Sequence, residues 1–422
     1  MIKRTSCIEK IRPYIGVDLI KVISGMRRCG KSVIVEQLRD EITTAIDPGA
    51  PFVYLNLEDD RNARFLEKGV LHDYVTDILD KNPDRKVYVF LDEIHEVAEW
   101  ERAVNSLRTR RNADIYITGS NSKLLSGELA TYLTGRYVEF KATPFSFAEF
   151  VEASRGGFRD LDVARLFEEY LEQGGLPFLC NLGYDRKLSH GYLEDVFGSI
   201  LLKDVVRRNG IRDVDLLDRV VRYVMTEAGH VISARSIVRF LKHENRGTTV
   251  DTILNHLKAC EQAFLIRKVP RQDLIGKRIL AVDEKYYVED CGLRRAIVHG
   301  NLQDDIDQML ENVVYHELCR RGWTVTVGRV KAKEVDFVCD RGSERMYVQV
   351  TYLMPTKETR EREFGALLAI PDQFPKMVLS LDRLNLGGNG ILHRYIPEFL
   401  LETEEKERQK WCAKTSWAEL VE

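Results

Sequence analysis

Apolar runs of strand length alternate with helically spaced apolar residues through the first part of the chain. The runs cover residues 19–23, 51–57, 86–91 and 113–118. Runs of this length are typical of strands buried on both faces, and strands that alternate with helices form parallel sheets. Residues 1–150 are therefore predicted to form an α/β core with a parallel sheet.

The first run leads into a glycine-rich loop, Gly25-Met26-Arg27-Arg28-Cys29-Gly30-Lys31-Ser32, and a helical pattern follows from Val33 to Ile46. The loop fits the pattern G-x-x-x-x-G-K-[ST]. A strand that breaks at glycine and opens a helix points backbone N–H groups at one spot, and the helix dipole adds to their effect. The loop and Val33 are predicted to bind ATP, with Lys31 on the β- and γ-phosphates and Ser32 as a ligand of Mg²⁺.

Two carboxylates, Asp92 and Glu93, stand at the end of the third run. Ligands of open α/β sheets bind outside the carboxyl ends of the strands, where this pair would lie. Asp92 is predicted to hold Mg²⁺ through water, and Glu93 to orient or deprotonate the attacking water as the catalytic base. Such a pair alone would fit a solvated loop start equally well, but the phosphate loop upstream favours hydrolysis.

The fourth run ends in Gly119-Ser120-Asn121-Ser122. Ser120 and Asn121 are candidates for a polar contact with the γ-phosphate or the water, and the alternative is an ordinary helix N-cap by Ser120 or Ser122. An extra strand between the phosphate-loop strand and the acidic strand favours the ATPase division of P-loop proteins. The chain also lacks the N-K-x-D motif by which small GTPases read guanine.

These motifs and several shorter segments resemble a prokaryotic family that joins an AAA-type P-loop ATPase domain to a C-terminal domain of unknown function. The resemblance covers nearly the whole chain and rests on the Arg27-Arg28 pair and on residues 91–95, 118–121, 133–136, 144–150, 174–177 and 203–205. It implies ATP binding and hydrolysis without a defined cellular task.

Arg136 is a candidate catalytic arginine, because a guanidinium near the γ-phosphate stabilises transition-state charge in cis or from a neighbouring subunit. The alternative is a structural ion pair. His95 is expected to be a packed or capping residue rather than a ligand.

Residues 151–212 read as a small helical lid. Lys203 and Asp204 could approach the nucleotide from this lid, although a surface salt bridge is the favoured interpretation. Residues 213–300 read as a winged helix-turn-helix, with helices at 216–227, 233–242 and 248–264 and a hairpin formed by residues 265–269 and 277–282.

The stretch from Arg219 to Leu280 holds twelve Lys/Arg and five Asp/Glu in a chain whose net charge is −3. Such a local surplus suits phosphate contact, so DNA is a candidate partner through residues 219–280. The proposed wing holds Arg267, Lys268, Arg271, Lys277 and Arg278. The alternative is a winged helix that contacts protein or supports the lid.

Residues 301–400 resemble a restriction-endonuclease-like core, in which a helix Glu, a strand Asp and a following E-x-K bind Mg²⁺ and activate water. Glu317 and Asp336 match the first two positions, but Gln349 and Thr351 replace the second carboxylate and the lysine. An amide is a poor Mg²⁺ ligand beside a carboxylate. The segment is therefore predicted to be a catalytically degenerate nuclease fold, and residues 401–422 a terminal helix.

Composition narrows the class of protein further. The chain has 422 residues, of which 44% are hydrophobic and 31% charged, and no run of apolar residues is long enough to span a membrane. Eight cysteines without a C-x-x-C pair fit reduced thiols, and the amino terminus lacks a secretory apolar core, so a cytoplasmic protein is expected.

Three functions fit these observations. The favoured one is Mg²⁺-dependent ATP binding and hydrolysis that drives a conformational change, with DNA as a candidate substrate and a homo-oligomer as a candidate assembly. The second is a DNA nuclease under ATP control, acting through the C-terminal domain. The third is a nucleotide-gated binding module with negligible turnover.

Overall fold

The alternating apolar runs form strands of a parallel sheet. The computed structural model describes residues 2–122, 133, 135–154, 161–244, 247–276, 278–298 and 300–402, with the backbone alone for 278–283. The strands are β1 (Ile20–Gly25), β2 (Phe52–Asn56), β3 (Val87–Asp92), β4 (Ala113–Gly119), β5 (Tyr137–Ala142), β6 (Val231–Ile232), β7 (Ile266–Asp273), β8 (Arg278–Val288), β9 (Thr324–Val330), β10 (Lys333–Arg341), β11 (Glu344–Val350), β12 (Lys376–Ser380) and β13 (Ile391–Tyr395).

Helices cover both sheets of the chain. They are α1 (Thr5–Ile11), α2 (Lys31–Glu41), α3 (Lys68–Asp80), α4 (Trp100–Arg108), α5 (Phe147–Ser154), α6 (Val163–Gln173), α7 (Arg186–Ser199), α8 (Val214–Thr226), α9 (Ala234–His243), α10 (Val250–Gln262), α11 (Cys291–Ile297), α12 (Ile306–Arg320), α13 (Lys357–Leu368) and α14 (Ile396–Leu401). The predicted terminal helix lies outside the described residues from position 403 onward.

The first sheet has five parallel strands in the order β2-β3-β4-β1-β5. Strands β1, β3 and β4 are buried along almost their whole length, which explains their uninterrupted apolar sequence. Strand β4 lies between β1 and β3, so the predicted extra strand separates the phosphate loop from the acidic pair. The prediction of a parallel α/β core is confirmed.

The predicted three-helix region is present as α8, α9 and α10 with the hairpin β7–β8. Ser233 caps α9 in a capping box with Ser236, and Thr249 caps α10. These caps satisfy the first free N–H groups of each helix, as their sequence signals predict. The outline matches the prediction, while its assignment as a winged helix stays a proposal.

The second sheet joins this hairpin to the C-terminal segment. Its eight strands run β13-β12-β11-β10-β9-β7-β8-β6, with β7 parallel to β9 at Arg271↔Val327. One sheet therefore continues across the boundary that we placed between residues 300 and 301. That boundary stays a prediction, but the two segments share hydrogen bonds within a single sheet.

A tight seam links the lid to the segment that follows β8. Gly175 N donates to Asp290 Oδ2 over 2.7 Å, and a Cβ on Gly174 would stand 2.2 Å from Asp290 Oδ1. On Gly292, a Cβ would meet the carbonyl oxygen of Gln173 at 2.0 Å. Glycine at these positions allows the two backbones to approach each other, which gives a physical reason for the Gly174-Gly175 motif.

The same seam buries two groups that titrate in opposite senses. Burial raises the pKa of Asp290 to about 6 and lowers the pKa of His316 to about 4. Asp290 therefore contributes stability at low pH that is lost as the pH rises through 6. His316 contributes stability above its unfolded pKa that is lost as the pH falls toward 4.

We expect His316→Gln to remove the loss of stability that His316 causes as the pH falls, while the opposite contribution of Asp290 remains. The stability of this variant relative to the parent chain should rise by roughly 2 kcal/mol between pH 7 and pH 5, because only the parent loses the His316 contribution. Urea unfolding at both pH values measures the difference. Asp290→Asn serves as the control, since its relative stability should change with the opposite sign over the same range.

None of the helices in the described ranges is long and apolar enough to cross a membrane. Seven cysteines lie in those ranges, and all of them are free thiols. In the same part of the chain, no group of His, Cys, Asp and Glu has the arrangement of a metal-binding cluster.

Candidate nucleotide site

The loop between β1 and α2 has the backbone of a phosphate cradle. Gly25 and Gly30 have φ values of 156° and 92°, and a Cβ on Gly25 would stand 2.2 Å from the carbonyl oxygen of Ala142. For this reason only glycine fits at position 25. Met26 and Cys29 are fully buried, so these two residues serve the loop through their backbone rather than through reactive side chains.

Lys31 opens α2 and points back into the loop. Its Nζ donates to the carbonyl oxygens of Gly25 and Met26 over 3.2 and 3.3 Å, and lies 3.2 Å from Glu93 Oε1. Burial acts to lower the pKa of Lys31, but the neighbouring carboxylate of Glu93 raises the pKa above its usual value. Lys31 is therefore positively charged, as a phosphate ligand must be.

The acidic pair and the end of β4 form one hydrogen-bonded unit. The Thr118 hydroxyl accepts a hydrogen bond from Glu93 N over 2.9 Å and donates to Asp92 Oδ1. Glu93 has a φ of 52°, a conformation that non-glycine residues adopt mainly where structure imposes it. Thr118 thus orients the Asp92 carboxylate and holds the backbone of Glu93. Its position as the last polar residue of the apolar run 113–118 was the one signal in the sequence for this role.

Glu93 is ionised in this setting. Burial acts to raise its pKa, but Lys31 and His95 more than offset that effect, so the pKa lies below its usual value. Its Oε2 is buried, accepts no hydrogen bond and lies 3.2 Å from His95 Nδ1. An ionised carboxylate with an oxygen left over has the properties that a general base requires. His95 is partly buried against Glu93, and its expected role as a packed or capping residue stays a prediction.

Asp92 fits the role of a cation ligand. It is fully buried, and its Oδ2 has no hydrogen-bond partner. Burial raises the pKa of Asp92, while the hydroxyls of Ser32 and Thr118 oppose the shift. A divalent cation beside Ser32 and Asp92 would satisfy the free oxygen and offset the desolvation of the carboxylate. The residues present therefore fit Mg²⁺.

Ser120 and Asn121 have a different partner from the one predicted. Ser120 Oγ donates to Asp204 Oδ1 over 3.2 Å, and Asn121 Nδ2 donates to the Asp204 carbonyl oxygen over 3.4 Å. Both residues are fully buried. Their contact with the γ-phosphate stays a prediction, and the structure instead places them between the core and the lid.

We predicted that Asp204 forms a salt bridge at the surface of the lid, and the predicted surface position is wrong. The residue is fully buried in a π-helical segment, Ile200–Arg207, that continues α7. Its carboxylate lies 2.9 Å from Arg27 Nε and 3.3 Å from an Arg208 guanidinium nitrogen. Arg27 therefore ties the phosphate loop to the lid, whereas Arg28 is exposed. The K-D-V motif gave the only sequence signal for Asp204.

We expect Asp204→Asn to loosen the lid, because an uncharged side chain of the same shape leaves Arg27 with one carboxylate partner instead of two. The free energy of unfolding should fall by about 2–3 kcal/mol, since breaking a buried ion pair leaves a charge uncompensated. Chemical unfolding measures this change. Asp195→Asn, an exposed substitution on α7, should leave stability within about 0.5 kcal/mol of the parent. Equal losses in the two variants would contradict the bridging role.

Arg136 lies at the wrong edge of the sheet for a role in cis. It immediately precedes β5, and its carbonyl oxygen accepts a hydrogen bond from Ile20 N at the start of β1. The phosphate loop follows the opposite end of β1. The exposed Arg136 side chain donates to Asn105 Oδ1 over 2.8 Å. The structure contradicts catalysis by Arg136 on the nucleotide of its own chain, while a role toward a neighbouring subunit stays a prediction.

The sheet order, the phosphate loop after β1 and the acidic pair after β3 define an AAA-type P-loop ATPase. Residues 18–151 match a family model described as an AAA domain. Residues 164–305 match a domain of unknown function, DUF8612. That second match covers most of the predicted lid and the three-helix region, and it ends within the first residues of the segment 301–400.

The chain belongs to a family of AAA-domain proteins. A Haemophilus influenzae relative, described as an uncharacterized protein, is 36% identical and covers 95% of this chain and 99% of its own length. The Methanocaldococcus jannaschii protein MJ1544 is 30% identical over 87% of this chain and 81% of its own. A Walker-type ATPase of Pyrococcus abyssi shares the fold, with a TM-score of 0.51 and 15% identity over 70% of this chain and 96% of its own.

Of the predicted nuclease residues of the C-terminal segment, Asp336 and Gln349 are neighbours, while Glu317 has other partners. Glu317 pairs with Arg320 and Arg321. Asp336 accepts a hydrogen bond from Val350 N. Burial is the main cause that raises the pKa of Asp336, and the carboxylate of Glu311 raises that pKa further.

Lys285 of β8 compensates the carboxylates near Asp336. Its Nζ lies 3.0 Å from Glu311 and 2.8 Å from Glu334. Gln349 accepts a hydrogen bond from Asp336 N over 3.4 Å and donates to Glu363 over 3.2 Å, so it joins the network as an amide. These pairings support the prediction of a degenerate nuclease fold, which stays a proposal.

The basic residues of the proposed wing are largely neutralised. Arg267 pairs with Glu289, Lys268 with Glu284 and Arg271 with Glu334. Lys277 lies outside the described residues, and of Arg278 only the backbone is described. Among the described side chains, the wing therefore offers DNA less free charge than its sequence predicts.

Proposed function

We propose that this protein binds ATP together with Mg²⁺ and hydrolyses it, and that the lid converts the nucleotide state into a change of conformation. The single observation that supports this function is the convergence of Lys31, Asp92, Glu93 and Thr118 at one edge of the parallel sheet. Asp92 and Glu93 lie at the end of β3, and Lys31 opens the helix that follows β1 and its loop. Thr118, from the strand between β1 and β3, binds the Asp92 carboxylate and the Glu93 backbone.

Each residue has a distinct part in this proposal. The loop amides and Lys31 bind the phosphates and neutralise their negative charge. Ser32 and Asp92 would hold Mg²⁺, which supplies charge stabilisation at the β- and γ-phosphates. Glu93 orients the attacking water and accepts its proton, and Thr118 keeps the Glu93 backbone in place. Asp204 of the lid pairs with Arg27 of the phosphate loop, so the two segments move together.

Phosphate release by the full chain tests this function. We expect release with ATP and Mg²⁺ and none when the metal is chelated with EDTA. The same assay with and without duplex DNA tests whether nucleic acid stimulates turnover. ATP binding without phosphate release would contradict hydrolysis and favour the nucleotide-gated binding module instead.

A further inference from the structure

The outer face of α9 carries unpaired positive charge among the described residues. Arg235, Arg239, Lys242 and His243 are all exposed. Successive residues turn an α-helix by 100°, so positions 235, 239, 242 and 243 share one side of the helix. Four residues advance the helix by about 6 Å, which separates the charged groups along a line. The helix contains neither Asp nor Glu.

These cations differ from the two arginines of α8. No described side chain forms an ion pair or hydrogen bond with Arg235, Arg239 or Lys242, while Arg219 and Arg222 of α8 pair with acidic residues. The carboxylate of Glu244, just beyond α9, is held by Arg219. The next helix, α10, exposes Asp251 as well as Lys258 and also contains Glu261, so it has no surplus of positive charge.

We propose that this face of α9 binds the phosphate backbone of duplex nucleic acid. Guanidinium groups bind phosphate oxygens through two parallel hydrogen bonds, and two unpaired arginines one helical turn apart can contact successive phosphates. Phe240 is 39% exposed beside this face and packs against Tyr223 at a centroid distance of 4.7 Å, which gives the surface an apolar edge of fixed position. Backbone contact of this kind is independent of base sequence.

This inference deepens the proposed function by naming the surface through which DNA would act, and it places that surface on α9 rather than on the wing. It does not depend on catalysis by Glu93. A chain that binds duplex DNA without hydrolysing ATP would therefore contradict the proposed function and leave this inference intact.

Charge reversal at two positions tests the proposal. The double variant Arg235→Glu/Arg239→Glu is compared with Arg111→Glu/Lys187→Glu, whose two exposed cations also have no described side-chain partner and whose net charge changes equally. Fluorescence anisotropy of a labelled 30-base-pair duplex, titrated with full-length protein at several salt concentrations, gives the affinity and its salt slope. Circular dichroism and thermal unfolding of each variant report on folding independently of catalysis.

We expect the α9 variant to bind roughly 10- to 60-fold more weakly at 0.1 M salt and to lose about 1.8 from the magnitude of the salt slope, as two phosphate contacts predict. The control should bind within about twofold of the parent under the same law. Equal weakening in both variants, unchanged binding in the α9 variant, or no duplex binding by the parent at 50 mM salt would overturn the proposal. Parent binding to anionic vesicles or polyglutamate in preference to the duplex would overturn it too.

Discussion

Lys31→Ala is expected to lower the affinity for ATP by about 100-fold or more, because a fully charged, buried ammonium would be lost from the phosphate cradle. The variant also leaves Glu93 without its 3.2 Å partner, so some loss of stability should accompany the loss of binding. Titration with a fluorescent ATP analogue measures the affinity, and thermal unfolding shows whether the fold survives.

Lys187→Ala is the matched control for this experiment, since it removes an exposed lysine of the lid that has no described partner. Its affinity for ATP should equal that of the parent. A folded Lys31→Ala variant that bound ATP as tightly as the parent would refute the assignment of the nucleotide site.

Glu93→Gln is expected to reduce the rate of ATP hydrolysis by roughly 10²–10⁴-fold while leaving ATP bound. Glutamine keeps the shape of the side chain but cannot accept the proton of the attacking water. Because the bond from Glu93 N to the Thr118 hydroxyl involves the backbone, the local geometry should persist. Single-turnover phosphate release separates the chemical step from binding.

The same substitution at Glu96 provides the comparison. Glu96 is exposed and lies 3.2 Å from the other nitrogen of His95, so Glu96→Gln alters charge close to the site without touching the proposed base. Hydrolysis should stay within a few-fold of the parent rate. Comparable losses in the two variants would show that local charge, rather than proton transfer, determines the rate.

The sequence predicted the ATPase core because each of its signals is local. A strand, a glycine-rich loop and a helix lie consecutively between residues 20 and 41, and the acidic pair directly ends its strand. Parallel strands then bring the separate signals to the same edge of the sheet. The caps Ser233 and Thr249 were predictable for the same reason, since each acts on the helix that it precedes.

Long-range pairing limited the other predictions. Asp204 is far from Arg27 in the chain, and neither residue carries a local signal of their contact. Arg136 precedes β5, and the pairing of β5 with the start of β1 places it at that edge of the sheet. The motif around Arg136 could not predict this pairing. In the C-terminal segment, Lys285 comes from the preceding hairpin, so no spacing within residues 301–400 indicated that a lysine would neutralise Glu311.

The parallel pairing of β7 with β9 has a practical consequence for dividing this protein into fragments. A cut near residue 300 would place β7 and β9 on separate fragments. Each of the two strands would then expose unpaired backbone N–H and C=O groups along one edge. Exposed edges of this kind recruit foreign strands and promote aggregation. Fragments ending there should prove insoluble, so the hairpin and the C-terminal segment should stay in one piece.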